Sequence, residues 1–134
     1  MASIETVLFT RLDNFAGLSS LVVSRIYPLN LPQSPTYPAV TFTRIGTDPF
    51  SGMTEDIGIT RGRFQLDAWA TTYLGALNVG AQLRLALKRW DDSGTSPVVL
   101  DSFLDNELDD FEDRLESSAG VFRVIQDYII HYRE

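Results

Sequence analysis

Apolar residues recur along the chain at the two spacings that distinguish helices from strands. After Ser3 they fall every three or four residues, which predicts an amphipathic helix with Ser3 as its N-cap and Gly17 at its end. The same spacing returns over Tyr73–Trp90, where Thr71 or Thr72 is placed to cap a second helix. Each helix has one apolar stripe, so each needs a larger surface to pack against.

Alternating apolar and polar residues predict the strands. These are Ala39–Ile45, Ile59–Ala70, Val98–Leu104 and Val121–Tyr132, with a short turn of helix and a short strand within Leu18–Tyr27. The order helix, strands, helix, strands predicts an α+β fold in a single domain over residues 1–134. We expect a two-layer sandwich, a mainly antiparallel sheet with two amphipathic helices packed on one face.

Four of the six prolines lie between Pro28 and Pro38. Proline fixes φ and lacks an N–H donor, so this segment is expected to be an extended, irregular arm. Two interpretations remain open. The arm lies on its own core, or it reaches a neighbouring subunit.

Gly46–Gly58 is rich in turn residues, which predicts a long hairpin loop. Loops of this length in compact domains are usually functional or disordered. Phe50 and Met53 either fold back onto the sheet edge or contact a partner on assembly. The candidate partner-contact residues of the loop are Asp48, Phe50, Met53, Glu55 and Asp56.

Charge changes this picture because it is unevenly distributed. The 134 residues have a net charge of −7. Asp91–Glu116 contains ten acids and one base, Arg114, whereas the rest of the chain has ten bases and eight acids. Such a region argues against tight nucleic-acid binding, which requires a basic surface. It is either a solvated loop and strand edge or a functional acidic surface comprising Asp101, Asp105, Glu107, Asp109, Asp110, Glu112 and Asp113.

The basic residues on the polar faces of the predicted strands are Arg61, Arg63 and Arg123. One interpretation is a solvated outer surface with cross-strand ion pairs to Asp67 and Asp127. The other is an interface, in which the arginines of one subunit meet the acidic segment of the next. Such head-to-tail contacts close into rings when the rotation permits.

Catalytic and cofactor signals are weak. There is no cysteine. The one histidine, His131, is not accompanied by a nucleophile motif elsewhere in the sequence. Phosphate-binding glycine loops are absent, and the acidic stretch does not match a calcium-binding loop. We therefore expect no enzyme activity, no cofactor and no metal. A hydrolase using clustered carboxylates would require an apolar pocket around them. The first residues do not resemble a signal peptide, and no apolar run approaches the ~20 residues of a membrane span, so we expect no membrane association.

Several short segments, in this order and spacing, are similar to the tail-completion (tail-terminator) proteins of long-tailed phages and prophages. They are Phe15-Ala16-Gly17-Leu18, Val23–Pro28, Tyr37–Val40, Arg63–Ala70 leading into Tyr73, Gly120–Arg123 and the closing Tyr132–Glu134. Together they extend over nearly the whole chain. The departures are the strongly acidic Asp101–Glu116 and the single lysine, Lys88.

The resemblance implies a structural, non-catalytic virion protein at the head-proximal end of the tail, made in the host cytoplasm. It implies a hexameric ring on the tail tube, formed from subunits that are monomeric in solution in some relatives. The implied partners are the tail tube protein and the head-completion (stopper) protein, with DNA passing through the ring without specific binding. An acidic wall would repel phosphates, and the competing assignment places the acids at the inter-subunit interface. A head–tail adaptor or minor tail protein is the alternative function.

Overall fold

The structure is a computed structural model that describes residues 3–33, 35–51, 56–112 and 120–133. The elements are α1 (Ile4–Asn14), α2 (Ala16–Val22), β1 (Ile26–Pro28), β2 (Ala39–Ser51), β3 (Asp56–Ala70), α3 (Tyr73–Leu87), β4 (Val98–Glu112) and β5 (Val121–Arg133). The five strands form one sheet in the order β1-β2-β3-β5-β4. All neighbours are antiparallel except β1 and β2, which are parallel. The predicted α+β sandwich is confirmed.

The main core lies between the helices and one face of the sheet, which we call the helix-covered face. Large buried side chains come from both layers: Leu8, Leu12, Leu18, Leu83 and Leu87 from the helices, and Phe64, Leu66, Tyr128, Ile130 and Tyr132 from the sheet. The opposite face of the sheet is the helix-free face. Within the described residues the helical layer contains three helices: the two predicted amphipathic helices and α2, which begins two residues before the segment Leu18–Tyr27 in which a short turn of helix was predicted.

The expectation that Gly17 ends the first helix is wrong. The chain is extended at Phe15, with φ −80° and ψ 110°, and the helix resumes at Ala16. Gly17 therefore lies inside α2, where an added Cβ would come within 2.0 Å of the Gln82 side-chain oxygen on α3. Glycine at this position permits the close approach of α2 to α3.

The second predicted helix begins as expected. The Thr72 hydroxyl accepts a hydrogen bond from the Gly75 N–H at 3.0 Å. The helix ends at Leu87 and not at Trp90, because Arg89 adopts φ 51° and its N–H donates to the Ser102 carbonyl at 2.9 Å. This contact directs the chain out of α3 towards β4.

The predicted loop over Gly46–Gly58 is largely a pair of strands. β2 continues to Ser51 and β3 starts at Asp56, so the turn residues extend a long hairpin. The register shifts between Arg44 and Gly46, as at a β-bulge. The part of β2 that extends past its pairing with β1 is an edge of the sheet. An edge strand tolerates Pro49, which has no N–H to donate to a neighbouring strand.

The acidic stretch after Leu104 is also a strand and not a loop, because β4 runs on to Glu112 paired with β5. Two register shifts interrupt the pairing, between Val99 and Asp101 and between Leu104 and Asn106. The acids are divided between the two faces of the sheet, with Glu107 and Asp109 on the helix-covered face and Asp110 on the helix-free face.

The proline-rich arm runs along its own sheet. The Arg25 Nε donates to the Pro38 carbonyl at 2.9 Å, which anchors the C-terminal end of the arm. Leu29 to Gln33 border a polar cavity of about 690 Å³ on the helix-free face, shared with Trp69 and Arg123. For these residues the structure favours an arm lying on its own domain.

Candidate functional site

Each carboxylate of β4 contacts a donor in the same chain. The pairs are Asp101 with Arg89 at 2.9 Å, Asp105 with Arg63 at 2.7 Å, Glu107 with Arg84 at 2.5 Å, Asp109 with the Tyr73 hydroxyl, Asp110 with Arg123 at 2.9 Å and Glu112 with Arg123 at 3.7 Å. Asp113, the remaining member of the predicted acidic surface, lies outside the described residues. Because of these partners, the region around β4 has a much less negative net charge than the residues of the strand alone.

Two of these acids turn towards the helices. Glu107 accepts from Arg84 of α3 and from the amide of the buried Gln126 at 2.6 Å. Asp109 accepts from the Tyr73 hydroxyl at the start of α3, and this hydrogen bond raises the pKa of Tyr73. These contacts join β4 to α3 and are structural in character.

The three predicted arginines share the helix-free face. Arg61 and Arg63 lie two residues apart on β3, opposite His131 and Ile129, whereas Arg123 lies on β5 opposite Trp69. Arg63 binds Asp105, and Arg123 faces Asp110 directly in the β4–β5 register. Within the described part of the chain, no ion pair involves Arg61. Arg63 and Arg123, two of the three arginines, thus pair with acids of their own subunit, whereas one interpretation of the sequence paired them with acids of the next subunit.

Arg123 is the centre of a polar cluster near one end of this face. Its guanidinium lies 4.9 Å from the centroid of the Trp69 ring and 3.6 Å from the Asp67 carboxylate, and its side chain is 21% exposed. Burial raises the pKa of Asp67, although Arg123 and the Gln65 amide oppose the shift. Trp69 in turn donates from Nε1 to the Thr41 hydroxyl at 3.0 Å. The result is a rigid polar cluster beneath the proline-rich arm.

The helix-free face also includes His131, which lies opposite Arg61 in the β3–β5 register. The ring of His131, the one histidine, lies 6.0 Å from that of Phe103. Among the side chains that the structure describes, no group of three or more His, Cys, Asp or Glu residues could hold a metal ion. Within the same residues, no helix is long and apolar enough to cross a membrane.

The predicted partner-contact loop is only partly described. Asp48, Phe50 and Asp56 belong to the β2–β3 hairpin, where Asp48 faces Arg61 in the register. Met53 and Glu55 lie outside the described residues.

Sequence reasoning missed the partners of three acids, namely Tyr73, Arg84 and Arg89. The helical spacing over Tyr73–Trp90 indicates which face of α3 packs inwards, and it gives no sign that Tyr73 or Arg89 contacts a strand distant in sequence. Position in the helix could have suggested Arg84, which lies one turn before the end of α3 and could reach the strand that follows.

Comparison with known proteins gives two matches. The family model described as "Tail completion protein gp17" matches residues 6–133. A chain in the structure titled "Virion of native gene transfer agent (GTA) particle" has a similar fold, with a TM-score of 0.69 and 14% identity over 95% of this chain and 92% of that one. No curated protein sequence matches the chain.

Proposed function

Since the chain belongs to the tail completion protein gp17 family of phage virion structural proteins, we propose that it forms a ring that terminates the tail tube. The ring then joins the tube to the head-completion (stopper) protein and encloses a channel for DNA. It occupies the head-proximal end of the tail. In this proposal the helices face outwards and the helix-free face lines the channel.

The observation that carries the channel assignment is the neutralisation of arginines on the helix-free face. A surface grips DNA when free guanidinium or ammonium groups replace the counterions of the phosphates. Here Arg63 is held by Asp105, and Arg123 is held by Asp110, with Asp67 and Glu112 nearby. Such a face lets a duplex slide past, because few of its cations are available to phosphates.

Freeing these arginines tests the channel assignment. The double variant Asp105→Asn with Asp110→Asn removes the closest acids of Arg63 and Arg123 at almost constant volume. We expect particles that still assemble but retain or slowly release DNA, and a purified protein that binds duplex DNA with a steep salt dependence. The matched control is Asp13→Asn with Asp91→Asn, which changes the net charge equally through a residue of α1 and an exposed residue after α3. Equal DNA binding by the two double variants would contradict the channel assignment.

Particles that lack the protein test the position in the virion. We expect tails of uncontrolled length, or finished tails detached from heads, in electron micrographs. Restoring the wild-type chain should return normal particles. Tail-less heads that leak DNA would instead indicate a head–tail adaptor.

A further inference from the structure

Both ends of the sheet are open in the described residues. β4 pairs with β5 on one side. On its other side, backbone hydrogen bonds from Asp92 to Val99 and from Arg89 to Ser102 cover the start of the strand, and among the described residues the edge is open from Phe103 to Glu112. At the opposite end, β1 covers β2 only from Val40 to Phe42, so β2 is uncovered from Thr43 to Ser51. Open strand edges carry backbone donors and acceptors that can pair with another chain.

The two open edges are complementary in direction. β2 is antiparallel to β3, β3 to β5 and β5 to β4. β2 and β4 consequently run in opposite directions within one subunit. A second copy that places its β2 beside β4 in the same orientation would continue the antiparallel sheet without a break.

Charge selects this pairing over the symmetric one. The six acids of β4 outnumber the four arginines that contact them, Arg63, Arg84, Arg89 and Arg123, so two β4 edges placed together would still bring an excess of like charge together, which is destabilising. The open part of β2 contains one base, Arg44, and one acid, Asp48. The acidic strand therefore disfavours a two-fold dimer and favours a head-to-tail contact, the type that generates rings.

Exposed apolar side chains lie on both edges. Leu108 on β4 is 47% exposed and faces Ile125, which places it on the helix-free side. Ile45 on β2 is 49% exposed and borders a small cavity with Arg61 and Ile129 on the same side. Edge-to-edge pairing would bring these two residues towards each other and bury both.

We propose that the open edge of β4 in one subunit pairs with the Thr43–Ser51 edge of β2 in the next copy of this chain, giving a sheet that is continuous around the ring. This inference rests on the proposed ring, and it specifies which surfaces of the subunit form it.

Engineered disulfides test this junction, because the chain has no cysteine of its own. We would combine Leu108→Cys with Thr43→Cys, Ile45→Cys or Gly46→Cys in three double variants, which cover different registers of the two edges. Within one subunit β2 and β4 are three strand spacings apart, roughly 14 Å, whereas a disulfide needs Cα atoms within about 7 Å. Any bond between the two edges must therefore join different subunits.

Oxidised tails should yield covalent oligomers larger than dimers on non-reducing gels for at least one double variant. Each single variant should remain monomeric, as should the control Ile45→Cys with Leu74→Cys, which places the second thiol at an exposed position on α3.

Dimers from Leu108→Cys alone would indicate a symmetric β4 contact and overturn the inference. If micrographs of the same samples show rings but no double variant cross-links, the junction is wrong and the ring stands. Absence of rings from wild-type tails would refute the proposed function itself.

Opposite charges at Ile45 provide an independent test. Ile45→Glu would add an acid beside the acidic β4 of the neighbour, whereas Ile45→Arg would add a base there. We expect the Glu variant to lower ring assembly at least tenfold relative to the Arg variant, with similar stability of the two subunits. Equal assembly of the two variants would contradict edge pairing.

Discussion

The side-chain amide of Gln126 on β5 donates to the carbonyl oxygen of Gly80 in α3 at 3.0 Å. Gln126 is fully buried, and its own carbonyl oxygen accepts from the Tyr128 hydroxyl at 2.7 Å. The helix comes this close because residue 80 has no side chain, since an added Cβ would lie 3.1 Å from the Gln126 nitrogen. One buried polar group thus fixes the distance between the helical layer and the sheet.

We predict that Gln126→Ala lowers the free energy of unfolding by about 2–4 kcal/mol. The change opens a cavity and leaves the buried Tyr128 hydroxyl without its acceptor. Tyr128→Phe, which leaves only the Gln126 oxygen unsatisfied, should have a smaller effect of about 1–2 kcal/mol. Urea unfolding followed by circular dichroism measures both values. An effect of Gln126→Ala smaller than that of Tyr128→Phe would contradict the central role of the amide.

The two arginines of the helix-free face should differ in their effect on stability. Arg123→Gln removes a guanidinium that contacts the buried Asp67 carboxylate, and the contact of that guanidinium with the Trp69 ring is lost as well. We expect a loss of about 1–3 kcal/mol, because an acid is left buried without its cation. The matched control is Arg63→Gln, whose ion pair with Asp105 is well exposed and should contribute less than about 1 kcal/mol. Equal losses in urea unfolding would show that Asp67 does not depend on Arg123.

The pKa of Asp67 predicts a pH dependence with a defined sign. Burial raises the pKa of this carboxyl in the folded state above the ordinary value of 3.8. Between the two pKa values the folded state binds more protons than the unfolded state, so the Asp67 contribution to stability falls as pH rises through this interval. Asp67→Asn does not titrate and should escape that loss.

The variant should therefore gain stability relative to wild type as pH rises from below 3.8, with a plateau above the folded-state pKa. Unfolding free energies of both proteins at a series of pH values give this difference, in which the other carboxylates largely cancel. Thr41→Ser, a small change in the same cluster, is the control and should follow the wild-type curve. A difference that shrinks with rising pH would mean that Arg123 outweighs burial.

Most of the fold was predictable because apolar periodicity reports burial, and burial determines which face of each element packs inwards. The strand Val121–Tyr132 and a cap at Thr71 or Thr72 follow from local residues, and the structure has the cap at Thr72. The extended hairpin was missed because turn residues such as Gly46 and Pro49 indicate turns on average, whereas here β3 pairs with the whole of β2. Tertiary pairing overrode local preference.

The charged surface was only partly predictable for a related reason. Sequence showed ten acids in one region and three arginines on predicted strands, which indicated the two charged surfaces. It did not show that Arg123 faces Asp110 across β4 and β5, because the register depends on two bulges in β4. Pairing between strands is a property of the sheet and not of either segment alone.

Two glycines should respond in opposite ways to an added methyl group. Gly120, directly before β5, has φ +80°, and a Cβ there would lie 2.3 Å from the Phe111 ring and 3.1 Å from the Glu112 carbonyl oxygen. Gly120→Ala therefore combines backbone strain with overlap, and we expect a loss of about 1–3 kcal/mol. Phe111 could rotate into solvent, since it is half exposed, but the Glu112 carbonyl belongs to the backbone and cannot.

Gly46→Ala is the control, because no atom lies within 4 Å of its added Cβ and its φ is not positive. Reduced entropy of the unfolded chain should leave that variant unchanged or more stable by up to about 1 kcal/mol. Thermal and urea unfolding of the two variants measure the contrast, and a Gly120→Ala protein as stable as Gly46→Ala would show that the β4–β5 connection does not need glycine.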